Sequence, residues 1–326
     1  MLNYRLTRLA RYRLVGQIQS LLANVALVTL ASMYSMPAAY GQSSSLGGFE
    51  DSVCPDNAYA VFHQCALEAA KTAEPPRTPG GRPDFSGNWL RRAWAFEDFE
   101  AHPKNPDDFG GPSAIVDPVD GKYPLQPWAI EINQKNIDAY VHQNAACFLS
   151  GPAGTMYMTS RFTFLQDDQH LVMIGEQLNP HPSRIIPVDG RPHIGDISLW
   201  NGDSRGHWDG NTLVIESPNH NAKYFLDQRG RFITDEARIV ERMTWIDNNT
   251  IHYSATFDDP NVFTRPLTIA FAFRRNTIDE GEIWEEACFE TNGDPMNLYR
   301  SAGKKVYSGM SGVEARELKA VWEASQ

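Results

Sequence analysis

The strongest constraint on the fold is the cadence of turn signals in the second half of the chain. Asp209-Gly210-Asn211 stands between Trp208 and the apolar run Thr212–Glu216, Asn248-Asn249 between runs 237–247 and 250–258, and Asp189-Gly190 follows run 185–188. Such pairs mark tight hairpins, because both central residues of a type I′ turn take φ > 0. Runs at Arg161–Gln166, 171–177, 268–273 and 283–290 keep the same spacing with no helical pattern between them. A parallel sheet, whose crossovers need helices, is therefore excluded, and an antiparallel barrel or sandwich remains.

The alternation within these runs sorts side chains onto faces. Ile239, Glu241, Met243 and Trp245 share one face. Ile251, Tyr253, Ala255 and Phe257 share another, opposite His252, Ser254, Thr256 and Asp258, and Ile283, Glu285, Ala287 and Phe289 share a third. Glu241 and Glu285 thus sit in apolar rows. A carboxylate placed there is either paired with a cation, with Arg184, Arg242 or Arg265 as candidates, or it keeps its proton and serves as a general acid.

The stretch 184–221 concentrates polar chemistry and reads as two hairpins in one wall. His181, His193, His207 and His220 recur at intervals of 12, 14 and 13 residues, close to a hairpin repeat, so several can meet on neighbouring strands as metal ligands or proton carriers. No HxH or HExxH fixes two ligands on one element, no GxSxG follows a strand, and no GxGxxG opens a βαβ unit. Zinc-type, serine-hydrolase and nicotinamide signatures are therefore missing, and no cofactor is expected.

At the start, residues 1–13 hold four arginines and no acid, and an apolar run over 21–33 leads to small residues at 38–41. That is the pattern of a secretory signal peptide with Ala39 and Gly41 before the cleavage point; the apolar run is shorter than the ~20 residues that span a bilayer. Arg11 and Arg13 are not consecutive, which favours the general secretion route. Removing the four arginines takes the formal charge from −11 to −15, so a basic footprint for nucleic acid or anionic lipid is absent. Cys54, Cys65, Cys147 and Cys288 remain, an even count that in an exported chain favours disulfides, with three pairings open.

The expected organisation is a signal peptide over 1–41, an N-terminal helix and Pro/Gly-rich strap over 42–84, and a β domain over 85–326. Within it, 55–70 reads as a short helix, 102–123 as a loop, 127–141 as an amphipathic helix and 151–154 as a glycine-containing loop. FSGNW at 85–89 opens the first strand, and Ser311 with Glu314 forms a capping box for a last helix that carries Leu318, Val321 and Trp322 on one stripe.

Several motifs in this order, TPGGRPDFSGNW, QPWA, DGRPH, GDSRGHWDGNTLVIES, IVERMTWID and FDDPNVFTRPLTI, resemble a large family of exported bacterial proteins of uncharacterised function. Its members typically read TPDGRPDLSGVW, PWA, DGRPH, GRWEGDTLVV, ERF and DDPxxYTKPW. The resemblance covers nearly all of the chain after the leader and implies a lipocalin-like antiparallel barrel with a few peripheral helices. His207 stands where the pattern usually has Arg, His220 where it has Phe and Leu267 where it has Trp, so a more polar pocket is implied here.

Together these readings lead to an expected periplasmic or secreted barrel enzyme with no membrane anchor after processing. It would act on a small hydrophobic cyclic molecule, such as a terpenoid, steroid or aromatic, by cofactor-free isomerase, lyase, hydratase or cyclase chemistry, in a cavity enclosed by the barrel. Glu241 or Asp203 is the expected acid/base, with His193 and His220 as partners or relay. Arg191 and Arg265 would hold an oxyanion or carboxylate, and Trp200, Trp208 and Tyr253 would be walls. A binding or carrier protein with the same pocket and a metal-dependent hydrolase are the alternatives.

Overall fold

The computed structural model describes residues 52–92, 97–104, 110–176, 183–277, 281–284, 287–288, 293, 297–300 and 302–326. The leader expected over 1–41, His181 and Glu285 lie outside them.

Nine antiparallel strands form a nearly closed barrel. In chain order they include β1 (Gly87–Arg92), β4 (Arg161–Gln166), β5 (His170–Gly175), β6 (Ser183–Pro187), β7 (Arg205–Asp209), β8 (Thr212–Glu216), β9 (Arg238–Asp247), β10 (Thr250–Asp258) and β11 (Leu267–Arg275). Their order in the sheet is β6-β5-β4-β1-β11-β10-β9-β8-β7, and the short β2 (Ile115–Asp117) pairs with β11. The turn chemistry acts where expected at two sites: Gly210 takes φ 59° between β7 and β8, and Asn248-Asn249 joins β9 to β10.

At Asp189-Gly190 the outcome differs. The strand before it, β6, pairs with β5, whereas the next strand, β7, pairs with β8 at the opposite edge of the sheet. The stretch 184–221 is therefore one strand, a long loop and one hairpin, because Pro192, Gly195 and Gly202 interrupt any alternation that could have built a returning strand. Residues 283–284 and 287–288 carry no strand, and the structure adds a short parallel pair, β3 (Tyr140–Val141) with β12 (Lys305–Val306).

Among the described residues, four α-helices lie beside the barrel, α1 (Tyr59–Ala69), α2 (Pro127–Ala139), α3 (Pro152–Met158) and α4 (Gly312–Ala324), together with a short 3-10 helix at Gln143–Ala146. Helix α1 covers the outer faces of β9 to β11, with Phe62 and Ala66 against Ile246 and Ala272, and His63 Nδ1 lies 3.0 Å from His252 Nε2. The capping box forms, with Glu314 N–H donating to Ser311 Oγ at 3.1 Å. Helix α3, which begins inside the 151–154 stretch expected as a loop, is buried along its whole length; with no polar face it shows no amphipathic period. Disulfides join Cys54 to Cys65 and Cys147 to Cys288. Among the described residues, no helix is long and apolar enough to cross a membrane.

The inward faces follow the alternation, but the interior is not a ligand cavity. Trp89, Phe162, Phe164, Met173, Ile186, Leu213, Ile215, Met243, Ile251, Tyr253 and Phe273 are each 0 % exposed, so none borders a space that admits water. Aromatic contacts lock this core: the Trp89 indole meets Trp245 edge-on at 5.2 Å and donates Nε1–H to the Phe85 carbonyl at 2.9 Å. These buried side chains occupy the barrel interior where a ligand cavity was expected.

Candidate functional site

The nine residues singled out in the sequence fall into separate places. Glu241 does point inward, and Arg184 grips it from β6: Nη1 donates to Oε1 at 2.9 Å and Nη2 to Oε2 at 2.7 Å. Tyr253 O–H donates to Oε1 at 2.7 Å. Glu241 is 0 % exposed, so no ligand reaches this carboxylate, and the paired alternative holds in place of the free acid. Burial works against the Arg184 charge, but Glu241 outweighs it and holds the guanidinium above its ordinary pKa. Tyr253 is a core side chain in this cluster, its pKa raised by burial first and by the Glu241 charge second.

His220 is buried as well. Its Nε2–H donates to the Ala237 carbonyl at 2.9 Å and its Nδ1 accepts from Tyr224 O–H at 3.2 Å, so both ring nitrogens are spent on structure. Burial depresses its pKa and keeps it neutral. Trp200 stacks on Phe148 at 5.2 Å, and Trp208 lies parallel to Phe85 at 6.0 Å, two separate packing contacts and not walls of one pocket. Arg191 folds onto Asp189 at 2.6 Å, and Arg265 onto Asp117 at 2.6 Å, both on the surface and far in sequence from each other. His207 is exposed on β7, away from buried His220; among the described residues no group of three or more His, Cys, Asp or Glu is placed to hold a metal ion.

His193 and Asp203, by contrast, come together. His193 Nδ1 lies 2.9 Å from the Asp203 carbonyl and 3.1 Å from its Oδ2. Both partners are acceptors, so Nδ1 carries a proton, and in the neutral form of the ring the lone pair sits on Nε2, which makes no hydrogen bond among the described residues. The Asp203 side chain is 3 % exposed and the His193 ring 37 % exposed, which sets a buried orienting carboxylate behind an accessible imidazole. Asp203 is itself held by Arg205 Nη1 on Oδ1 at 2.6 Å and by the Ile194 N–H on Oδ2 at 2.6 Å.

His193 borders a cleft of about 370 Å³ with Glu216, Ser217, Pro218, Asn219, Asp235, Glu236, Ala237, Arg238 and Ile239. That volume lies within the ~300–1,000 Å³ typical of small-molecule sites. The loop carrying His193 is fastened over the cleft by Asn219, whose Nδ2 donates to the carbonyls of Ile194 at 3.1 Å and Gly195 at 3.2 Å. Asn219 adopts φ 61° to do so, a conformation Asn tolerates better than most residues. Gly202 permits the close approach beneath: a Cβ there would stand 2.6 Å from the Pro218 carbonyl oxygen.

The cleft's charges are fixed in place. Arg238 donates to Glu216 at 2.6 Å and holds that carboxyl below its usual range. Arg316 and Asn261 hydrogen-bond Glu236 and lower it to about 2. Ser217 connects the cleft to the interior: its Oγ lies 2.8 Å from Ser204 Oγ, and Arg184 Nη2 reaches Ser204 at 3.0 Å. Ser204, Arg205, Ser217, Asn219 and Arg238 were not identified in the sequence. Their only linear signal is position, just before β7, just after β8 and at the start of β9, and nothing local says that these strand ends meet.

Against known proteins, the chain matches no family model and no curated protein sequence. What fold and cleft define is a class: a filled, nearly closed antiparallel barrel with a carboxylate-oriented histidine at a cleft outside its wall.

Proposed function

We propose that this is an exported, cofactor-free proton-transfer enzyme of the isomerase or lyase kind. A small, mostly apolar cyclic molecule lies in this cleft against Pro218, and His193 Nε2 takes a proton from it and returns one. The observation that carries the reading is Asp203 on His193 Nδ1, which sets the tautomer and stabilises the imidazolium formed on proton uptake, a pairing typical of general bases. Export is supported by the arginine-led apolar leader, by the two disulfides and by the motif resemblance to exported barrel proteins.

The test is deuterium uptake from heavy water by a panel of cyclic ketones, terpenoids and phenols, followed by mass spectrometry. The expected result is enzyme-dependent exchange into at least one of them, slowed roughly 10²–10⁴-fold by His193→Ala and also reduced by Asp203→Asn, the magnitude of a lost general base. Exchange that persists unchanged in His193→Ala overturns the proposal.

One observation favours a second reading, a periplasmic binding or carrier protein: Glu216, Glu236 and Asp203 are each held by an arginine. Native mass spectrometry separates the two. A stoichiometric small molecule that stays chemically unchanged, with no exchange in the panel, supports the carrier.

A further inference from the structure

A second cleft, of about 190 Å³, lies outside the barrel where β3 and β12 join the end of α2. We infer that it binds a single-ring aromatic carboxylate. The inference does not depend on the His193 site.

The walls are aromatic and pre-set. Tyr140, Phe225 and Tyr299 line the cleft. Behind them Tyr307 stacks on Phe225 at 4.2 Å and meets Tyr140 edge-on at 5.3 Å, so two of the three walls are braced by a buried ring. The pairing of Lys305 with Tyr140 and of Val306 with Val141 ties two of the contributing segments to each other. A rigid aromatic slot offers a flat ring stacking and edge contacts at little ordering cost.

Among the described residues, Lys304 is the charged side chain that lines this slot. Lys304 is half-buried, and its Nζ donates to the Ile137 carbonyl at 2.9 Å and lies 5.9 Å from the Tyr299 ring centre. An ammonium has three donors, so two remain for a ligand. Among the described residues, no Asp or Glu lines the cleft and no carboxylate pairs with Lys304. In a chain of net charge −11, a half-buried lysine without a carboxylate partner is an anion site in waiting. His142 adds no second cation: its Nδ1 accepts from the Asn144 N–H at 3.3 Å, and burial presses its pKa to about 3.

Size completes the assignment. The volume falls below the ~300 Å³ lower end for drug-sized ligands and suits one ring with a short acidic substituent.

The test is calorimetric and NMR titration of the full chain with benzoate and phenylacetate, beside benzyl alcohol and cyclohexanecarboxylate. One aryl carboxylate per chain is expected to bind saturably, with each control weaker by roughly tenfold, the scale of one lost charge-assisted or ring contact. Lys304→Met is expected to weaken the aryl carboxylates by at least about tenfold and Lys304→Arg to retain most affinity, with circular dichroism verifying the fold of both. His193→Ala is expected to leave this binding unchanged, which separates the result from the fate of the proposed activity. No saturable binding in the millimolar range, or equal binding by Lys304→Met, overturns the assignment.

Discussion

Arg184 and Glu241 meet face to face inside the barrel, from strands β6 and β9 that share no backbone hydrogen bonds. The same guanidinium reaches Ser204, just before β7, and Ser217, just after β8. Strands β6 and β7 are the two edges left unpaired by the sheet, so Arg184 stitches the seam with side-chain bonds where the backbone ladder is missing.

Removing one partner strands the other as a buried charge. Glu241→Leu is expected to destabilise the protein by about 3–5 kcal/mol, whereas Arg184→Met combined with Glu241→Leu recovers most of that loss. Urea denaturation of the two single variants and the double variant measures the coupling. Additive losses would show that the pair does not act as a unit.

Stability is expected to fall as the pH drops below about 6.5, the unfolded histidine value. Burial presses His142 and His252 to about 3, and it lowers His220 as well. The unfolded chain therefore takes up protons that the folded chain refuses, and each group costs up to about 1.4 kcal/mol per pH unit between the two values. Asp227 works the other way: burial raises it to about 6, so its folded carboxyl keeps a proton that the unfolded one loses, and its contribution is lost as pH rises toward 6. Burial lowers His63 as well and raises Asp259, so four histidines stand against two aspartates and leave a net loss toward acid. Urea midpoints taken from pH 7 to 4.5 are expected to fall; a flat or rising profile would contradict the burial of these rings.

Gly151 is expected to tolerate no side chain. It precedes α3 with φ 79° and ψ 176°, a region open essentially to glycine alone, and a Cβ there would stand 2.2 Å from the Tyr224 ring. Gly151→Ala is expected to cost about 2–4 kcal/mol, seen as a Tm lower by roughly 5–10 °C. An unchanged Tm would mean that Tyr224 is free to move.

Periodicity made the barrel and its faces legible. Period-two alternation placed Glu241 beside Ile239, Met243 and Trp245 and put Tyr253 on the inward face of the next strand, because a strand's side chains have only two directions to choose from. The same signal failed for α3, where every residue is buried, and for Asp189-Gly190, where Gly190 takes φ 80° in a bend but no strand returns. Position in the chain could not say which arginine Glu241 would meet.

The sequence by itself determined an antiparallel β chain, its main hairpins, its capped last helix and an inward carboxylate, since all of these rest on neighbours a few residues apart. Only the tertiary structure decided that aromatic rings fill the barrel, that Arg184 spans 57 residues to neutralise Glu241, and that Asp203 turns His193 toward a cleft in place of His220. Those outcomes depend on which edges of the sheet come to face each other, and that is set by the closure of the whole barrel and not by any local pattern.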